Sequence, residues 1–313
     1  ANGLKLYLNI PQKEVHPGQL VTVCIKAVNR HVIFLGKQQF QIGVAYLNTP
    51  GNEKEMLQCD GVTEKVQQTM AEFSPKHCGI AQIDIEKVFL QDYLGLIGTQ
   101  KNFRGSCQLA VLPEPVLSTR VRTGMEKQQE YRYSAVADDD SDILDLRAFR
   151  PGDNLNHIHW NLSLRTDDLI VRQYGEQIDV KKVILVDLSI LNTAQYRSRM
   201  DAVYTAVASI ANLYVENEVN TLILAWNGQK QSAEYLEVHD RTELNRAMIR
   251  LMQIPCSSRA GEHAAAVYLK DIEAQGQQAL FVTAGSYENN KVRIVNVEKI
   301  QLQELIDELW EKI

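Results

Sequence analysis

Residues 146–160, with the sequence LRAFRPGDNLNHIHW, contain two arginines, a Pro-Gly pair, an aspartate, two histidines and a tryptophan. Proline holds φ at about −65° and glycine accepts positive φ, so Pro151 and Gly152 suit the two central positions of a type II turn. Charged residues of both signs lie on either side of this turn. The stretch therefore predicts a defined turn at a junction between two parts of the fold.

The charged residues around this turn predict an internal ionic network. Arg147, Arg150 and Arg165 lie close in sequence to two carboxylates, Asp145 and Asp153. A guanidinium group matches a carboxylate through two parallel hydrogen bonds, which favours such pairs. We expect the network to fix how the C-terminal domain approaches its neighbour, and a partner-facing surface is the alternative.

The two histidines of the stretch suggest a metal site or a structural role. On a strand, His157 and His159 would point the same way, as two zinc ligands do. The sequence offers no third ligand at a convincing spacing and no His-Glu-x-x-His motif. We therefore expect His159 and Trp160 to pack the junction with their polar edges satisfied. A hydrolase that uses Asp153, His157 and His159 is the enzymatic alternative.

The same stretch resembles the signature of the bacterial domain-of-unknown-function family fifty-eight. That signature is Arg-x-Tyr-x-x-Gly-Asp, a basic residue and then Ile-His-Trp, and the match continues through residues 163–166 and 169–172. Asn156 stands where relatives place arginine, so that contact is not carried over. The resemblance implies an immunoglobulin-like sandwich, a von Willebrand factor A-like domain and a short transmembrane hairpin before residue 1. It also implies a MoxR-type AAA+ ATPase as a partner, because relatives are commonly encoded beside one.

Short alternating runs separated by turn residues predict an all-β N-terminal domain. About seven short strands at this spacing favour an immunoglobulin-like sandwich over residues 1–115. Pro113 and Pro115 mark its boundary, because proline disfavours helices and central strands. Residues 116–180 then form a connector that carries the signature. The strand-like runs are residues 4–10, 20–25, 40–47, 65–73, 80–90 and 103–111.

Apolar runs alternate with amphipathic segments after residue 180. Residues 183–186 and 221–226 are continuous apolar runs, as expected of strands covered on both faces. Residues 233–238 predict an antiparallel edge strand. Strands that alternate with helices predict a doubly wound parallel sheet over residues 181–313. This arrangement resembles a von Willebrand factor A domain.

Asp187 and Ser189 follow the first predicted strand of this C-terminal domain. Von Willebrand A domains often carry Asp-x-Ser-x-Ser there, which with a later threonine and aspartate gives Mg²⁺ the hard oxygen ligands it prefers. Leu191 replaces the second serine here, and Ala284 stands where the later aspartate is expected. We therefore expect a degenerate metal-ion-dependent adhesion site and no cofactor, with bound Mg²⁺ or Mn²⁺ as the alternative.

Composition and motifs argue against several functional classes. The formal net charge is −6 and the basic residues are scattered, which argues against a nucleic-acid partner. Gly-x-x-x-x-Gly-Lys and Gly-x-Gly-x-x-Gly motifs are absent, so nucleotide binding has no support. The five cysteines form no Cys-x-x-Cys motif, and we expect free thiols in a reducing compartment. The acidic run at residues 138–140 is typical of a solvated loop, and a docking site is its alternative.

The sequence and the resemblance together predict a non-enzymatic protein-interaction scaffold or adaptor. It would lie at the cytoplasmic face of a bacterial inner membrane, reached through the hairpin before residue 1. Its partners would be a MoxR-type AAA+ ATPase and a membrane or envelope client. A metal-dependent ligand-binding module and the hydrolase described above are the two alternatives.

Overall fold

The computed structural model describes residues 4–29, 35–47, 54–62, 66–92, 94–103, 105–119, 131–133, 142–166, 168–177, 181–189, 195–271, 279–285, 287 and 292–312. These residues are rich in β-structure, and their strands form four sheets. The chain divides into two compact units, Ala1–Arg120 with Lys181–Ile313, and Val121–Val180. The sequence-based boundaries after residues 115 and 180 stay predictions.

The N-terminal strands form two sheets that pack face to face as a sandwich. Val21, Val23 and Ile25 are buried and alternate with more exposed neighbours, as expected when one sheet face covers a core. Phe40 and Ile42 do the same in the facing sheet, and both sets belong to one buried cluster. The strands are β1 (Leu4–Asn9), β2 (Glu14–Val15), β3 (Val21–Asn29), β4 (Leu35–Tyr46), β5 (Glu55–Val62), β6 (Val66–Phe73), β7 (Gly79–Asp92), β8 (Gly98–Lys101) and β9 (Ser106–Val111).

Strand pairing gives the sandwich one small sheet and one large sheet. Strands β1, β3 and β6 form the small sheet, and β2, β9, β7, β4 and β5 form the large one, with β8 paired to β7. The sequence did not predict β2, β5 and β8. Strands β2 and β8 are short, and β5 contains few β-branched residues, so its pairing with β4 supplies what local propensity lacks.

The C-terminal half of the first unit is a five-stranded sheet with helices on both faces. Ile184 and Val186 pack against one set of helices, whereas Val183 and Leu185 pack against a helix on the opposite face. Residues 183–186 are therefore continuously apolar, because successive side chains point to opposite buried faces. The elements are β13 (Lys182–Val186), α2 (Tyr196–Glu216), β14 (Thr221–Asn227), β15 (Ser232–Val238), α3 (Arg241–Gln253), α4 (Ala260–Asp271), β16 (Ala279–Thr283), β17 (Arg293–Asn296) and α5 (Leu302–Trp310).

The strand order of this sheet is β15-β14-β13-β16-β17. The four strands β14, β13, β16 and β17 are parallel, and β15 is an antiparallel edge strand, as the sequence predicted for residues 233–238. Helix α4 was not predicted, because its alanine-rich sequence lacks a clear apolar stripe. None of the described helices combines the length and apolarity needed to cross a membrane.

The sandwich and the helix-covered sheet share a hydrophobic core. Ile80, Ala110 and Leu112 come from the sandwich side and lie in the same buried cluster as α2, α3 and α5. The segment that follows is also fastened, since Val116 donates its N–H to Ser209 Oγ at 2.9 Å. Thr119 donates its N–H to Asp307 Oδ1 at 3.0 Å. The Pro113-Pro115 boundary thus leads into a segment bonded to α2 and α5.

The second unit contains a three-stranded antiparallel sheet and the signature stretch. Its sheet has the order β10-β12-β11, and the acidic run at residues 138–140 lies outside the described residues. One turn of 3₁₀ helix at Leu155–His157 precedes a short α-helix. The elements are β10 (Tyr131–Tyr133), β11 (Asp142–Ala148), α1 (Trp160–Thr166) and β12 (Ile170–Gln177).

Candidate functional site

Asp187 lies at the carboxyl end of β13, the edge at which parallel sheets bind their ligands. Its Oδ1 accepts a hydrogen bond from the Ser189 N–H at 3.0 Å. Its Oδ2 accepts a hydrogen bond from the Thr283 hydroxyl at 2.7 Å, across the neighbouring strand β16. Both carboxylate oxygens are therefore engaged by donors of the chain itself.

The N-terminus of α4 closes over this carboxylate. Gly261, in the first turn of α4, donates its N–H to Ser189 Oγ at 3.1 Å. A Cβ atom added at Gly261 would lie 2.6 Å from Asp187 Cγ, closer than real side chains approach. The negative charge of Asp187 is also favourable beside the positive end of the helix dipole. This loop cluster, defined here as the Asp187 cluster, consists of Asp187, Ser189, Gly261 and Thr283.

The Asp187 cluster fits a divalent cation poorly. Asp187 is the one carboxylate of the cluster, because Ala284 supplies none after Thr283, and both Asp187 and Ser189 accept hydrogen bonds within the cluster. Leu191, the other departure from the metal-binding pattern, lies outside the described residues. Among the side chains that the structure describes, no group of three His, Cys, Asp or Glu residues is placed to hold a metal. The arrangement can hold α4 against β13 through hydrogen bonds alone.

Sequence reasoning placed Asp187 and Ser189 at this edge but missed Thr283 and Gly261. Thr283 is the last residue of β16, so its position at the same edge follows once β13 and β16 are known to be neighbours. The close approach of Gly261 has no sequence signal of its own, because a helical glycine is commonly read only as a weak helix former.

The signature turn is built around Asp153. The Arg147 guanidinium donates two hydrogen bonds to the Asp153 carboxylate, each 2.7 Å long. The Arg150 N–H donates a third hydrogen bond to the same carboxylate at 2.7 Å, and Gly152 has the positive φ of 109° that its position requires. The bonds from Arg147 and then Arg150 lower the pKa of Asp153 to about 2.

The described residues show one ion pair of the predicted ionic network, between Arg147 and Asp153. Arg147 pairs with Asp153, whereas Arg150 contacts that carboxylate through its backbone N–H. Arg165 is exposed in the last turn of α1, and the side chain of Asp145 lies outside the described residues. The expected role of the network, which is to fix how the C-terminal domain approaches its neighbour, stays a prediction.

The histidines do not lie on a strand as the zinc interpretation required. His157 ends the 3₁₀ turn, and His159 directly precedes α1. The Leu162 N–H donates a hydrogen bond to His159 Nδ1 at 3.2 Å, so His159 acts as an N-cap of this helix. Trp160 leaves 58% of its surface exposed, so the structure does not pack it as the sequence analysis expected.

We expect the pKa of Asp153 to return from about 2 towards its ordinary value of 3.8 in an Arg147→Gln variant. Because the folded-state pKa is lowered, the pair stabilises the turn above pH 3.8 and this contribution is lost as pH falls through 2. Carboxyl-carbon NMR titration measures the shift. Arg165→Gln is the matched control, since the charges acting on Asp153 are those of Arg147 and Arg150. An unchanged pKa in Arg147→Gln would contradict the pairing.

A second polar cluster joins the sandwich to α2. His77 Nδ1 lies 2.6 Å from Asp201 Oδ2, and the Cys78 N–H donates to Asp201 Oδ1 at 2.8 Å. Burial raises the pKa of Asp201, against the lowering effect of these two hydrogen bonds. Burial, followed by the charge of Asp201, raises the pKa of the Cys78 thiol to about 12. A thiol held protonated in this way is a poor nucleophile, so the cluster is suited to joining the two halves.

Comparison with protein families gives a match over part of the chain. Residues 145–292 match the family described as "Protein of unknown function DUF58". The match supports the assignment of these residues to that family, whose description states no activity. No curated protein matches the sequence.

Solved structures resemble the chain only weakly. A cohesin module from Clostridium perfringens shares 9% identity at a TM-score of 0.27, with 36% of this chain and 98% of the module covered. A CARDB domain from Pyrococcus furiosus shares 11% identity at a TM-score of 0.23, with coverages of 36% and 90%. The alkylpurine DNA glycosylase AlkC from Pseudomonas fluorescens shares 12% identity at a TM-score of 0.25, over 35% of this chain and 30% of its own length. These TM-scores are too low to bear on fold or function.

Proposed function

We propose that this chain is a non-enzymatic protein-interaction scaffold, built from an immunoglobulin-like sandwich and a degenerate von Willebrand factor A-like domain. The main support is the Asp187 cluster, in which the chain's own donors occupy both carboxylate oxygens. Because Asp187 is hydrogen-bonded within the chain, the loops at this edge keep their arrangement without a bound ion. They are then available as a surface for binding a protein. The hydrophobic core shared with the sandwich holds the sheet that carries these loops in a fixed position.

The proposed partner is a MoxR-type AAA+ ATPase that is coupled through this chain to a membrane or envelope client. The place of action is the cytoplasmic face of a bacterial inner membrane. Both proposals rest on the family resemblance of the signature stretch and on the family match over residues 145–292. The loops at the carboxyl edge of the sheet would bind the ATPase without a metal.

The hydrolase alternative receives no support from the geometry of its three residues. Arg147 holds the Asp153 carboxylate through two hydrogen bonds, so this group is committed to the turn. His159 Nδ1 accepts the Leu162 N–H, so this ring nitrogen is used to cap the helix. The metal-dependent alternative would rest on Asp187 as the one carboxylate of the cluster, because Ala284 supplies no second one.

The test is binding of the purified chain to the MoxR-type ATPase encoded in the same genome. The chain is treated with EDTA and desalted into metal-free buffer, and the ATPase is kept nucleotide-free so that the chelator acts on one component only. We expect the same affinity with and without added Mg²⁺, measured by biolayer interferometry, and no heat when Mg²⁺ is titrated into the chain alone.

Two outcomes would contradict this proposal. Binding that requires Mg²⁺ would favour the metal-dependent module, despite the closed Asp187 cluster. Absence of binding under both conditions would remove the ATPase as a partner.

A further inference from the structure

The hairpin between β7 and β8 ends in an apolar tip on the sandwich. Leu94, Leu96 and Ile97 leave 73%, 79% and 72% of their surfaces exposed. Isolated exposed aliphatic residues are common on protein surfaces, but three in four residues at one turn form a contiguous patch. We call these three residues the aliphatic tip.

The backbone of the aliphatic tip is ordered by hydrogen bonds to one residue. Asp92 Oδ1 accepts from the Ile97 N–H at 2.9 Å, and the Asp92 N–H donates to Ile97 O at 3.0 Å. The Gly95 N–H donates to Asp92 O at 3.0 Å, and Gly95 has a φ of 69° that favours glycine. The turn thus satisfies these polar groups internally while it directs aliphatic side chains outward.

The tip lies at the end of the sandwich remote from α2. Strand β7 begins at Gly79, directly after Cys78, whose N–H is bonded to Asp201 of α2. It then runs for 14 residues to Asp92, which at the usual rise per residue is about 45 Å. The aliphatic tip is therefore free of the core that joins the sandwich to the helix-covered sheet.

The described charged groups near the tip are the Asp92 carboxylate and an ion pair on the neighbouring strands. Leu35, at the start of β4, pairs with Asp92, so the first residues of β4 lie at this end of the sandwich. Lys37, two residues further on, forms an ion pair with Asp60 at 3.0 Å. This pair adds no net charge beside the tip. The described residues at this end thus show no excess of positive charge, and attraction to a bilayer is expected to be apolar, with little dependence on salt.

We propose that the aliphatic tip inserts into the surface of a lipid bilayer. Backbone groups that enter hydrocarbon must be hydrogen-bonded within the protein, and Asp92 meets this requirement for the N–H groups of Gly95 and Ile97. The three side chains carry no polar atom that would need a specific partner. A stable protein interface buries about 800 Å² on each side, which three residues on a convex turn do not supply. The inference rests on this hairpin alone and goes beyond the proposed adaptor function.

The experiment is co-sedimentation of the purified chain with vesicles. One set contains phosphatidylcholine alone, and the other contains phosphatidylcholine mixed with phosphatidylglycerol. We expect the chain to sediment with both sets, and the variant Leu94→Ser/Leu96→Ser/Ile97→Ser to partition at least about tenfold more weakly. The matched control is Leu20→Ser/Met70→Ser, which removes two well-exposed apolar residues elsewhere on the sandwich and should bind like the original chain.

A second measurement does not depend on how the serine variant folds. Leu96→Trp places a fluorophore at the tip, and brominated phosphatidylcholine should quench it more strongly than the tryptophans of the unsubstituted chain. Met70→Trp is the control at an exposed site away from the tip. No ATPase is present, so the result does not depend on the adaptor proposal.

Several results would overturn the proposal. In the sedimentation experiment, these results are a chain that stays in the supernatant with both vesicle sets, a serine variant that binds as well as the original chain, and binding that needs phosphatidylglycerol and is lost in salt. In the fluorescence experiment, the contradicting result is Leu96→Trp fluorescence that brominated lipid does not quench. Loss of ATPase binding in the serine variant, with vesicle binding unchanged, would instead identify the tip as a protein contact.

Discussion

Replacing Gly261 with alanine is expected to lower the free energy of unfolding by about 2 kcal/mol, although alanine is the better helix former. The new Cβ would lie 2.6 Å from Asp187 Cγ, so either α4 or the carboxylate must move. Movement of the carboxylate would break its hydrogen bonds with Ser189 and Thr283, which is the physical source of the loss. Urea unfolding followed by circular dichroism measures the change.

The control for this substitution is Gly105→Ala. An added Cβ at Gly105 meets no atom within 4 Å, and its backbone does not have positive φ. We expect little change in the unfolding midpoint there. If Gly261→Ala stabilised the chain, as helix propensity alone would predict, the close contact between α4 and Asp187 would be wrong.

Leu112→Ala is expected to cost about 3 kcal/mol, because it leaves a cavity in the core shared by the sandwich and the helix-covered sheet. Leu112 is buried in the cluster that contains α2, α3 and α5. Its backbone is also fixed, since its N–H donates to Val15 O at 2.8 Å and its carbonyl lies 3.0 Å from His16 Nδ1. The side chain therefore has little freedom to refill the space.

Leu117→Ala is the matched control, since Leu117 lies on the same segment and is exposed. Differential scanning calorimetry should show Leu112→Ala lowering the melting temperature of the sandwich and of the helix-covered sheet together. Two separated transitions, of which only one moves, would contradict the shared core.

The sequence predicted the elements whose pattern is local. The continuous apolar run at residues 183–186 required a strand covered on both faces, and β13 is one. The Pro-Gly pair required a tight turn, and Gly152 has the positive φ expected there. In both cases, the types of a few neighbouring residues determine the local backbone conformation.

Features that depend on distant contacts were missed or misplaced. The role of Gly261 depends on Asp187, which is far away in sequence, and only the fold brings the two together. The histidine pair was considered on a strand, but Ile158 intervenes with a single bridge to Val171 and a helix begins at Trp160. Short strands such as β2 owe their existence to pairing partners, here β9, and not to their own composition.

Strand β7 and the fastened segment after Leu112 give the sandwich the character of a rigid spacer. The N–H groups of Val116 and Thr119 donate hydrogen bonds to side chains of α2 and α5. The described segment that follows the sandwich is therefore held against the helix-covered sheet. Whatever binds the outer end of β7 is thereby held at a set stand-off from the carboxyl edge of the C-terminal sheet. We therefore expect a rotation imposed at one end to reach the other through the shared hydrophobic core.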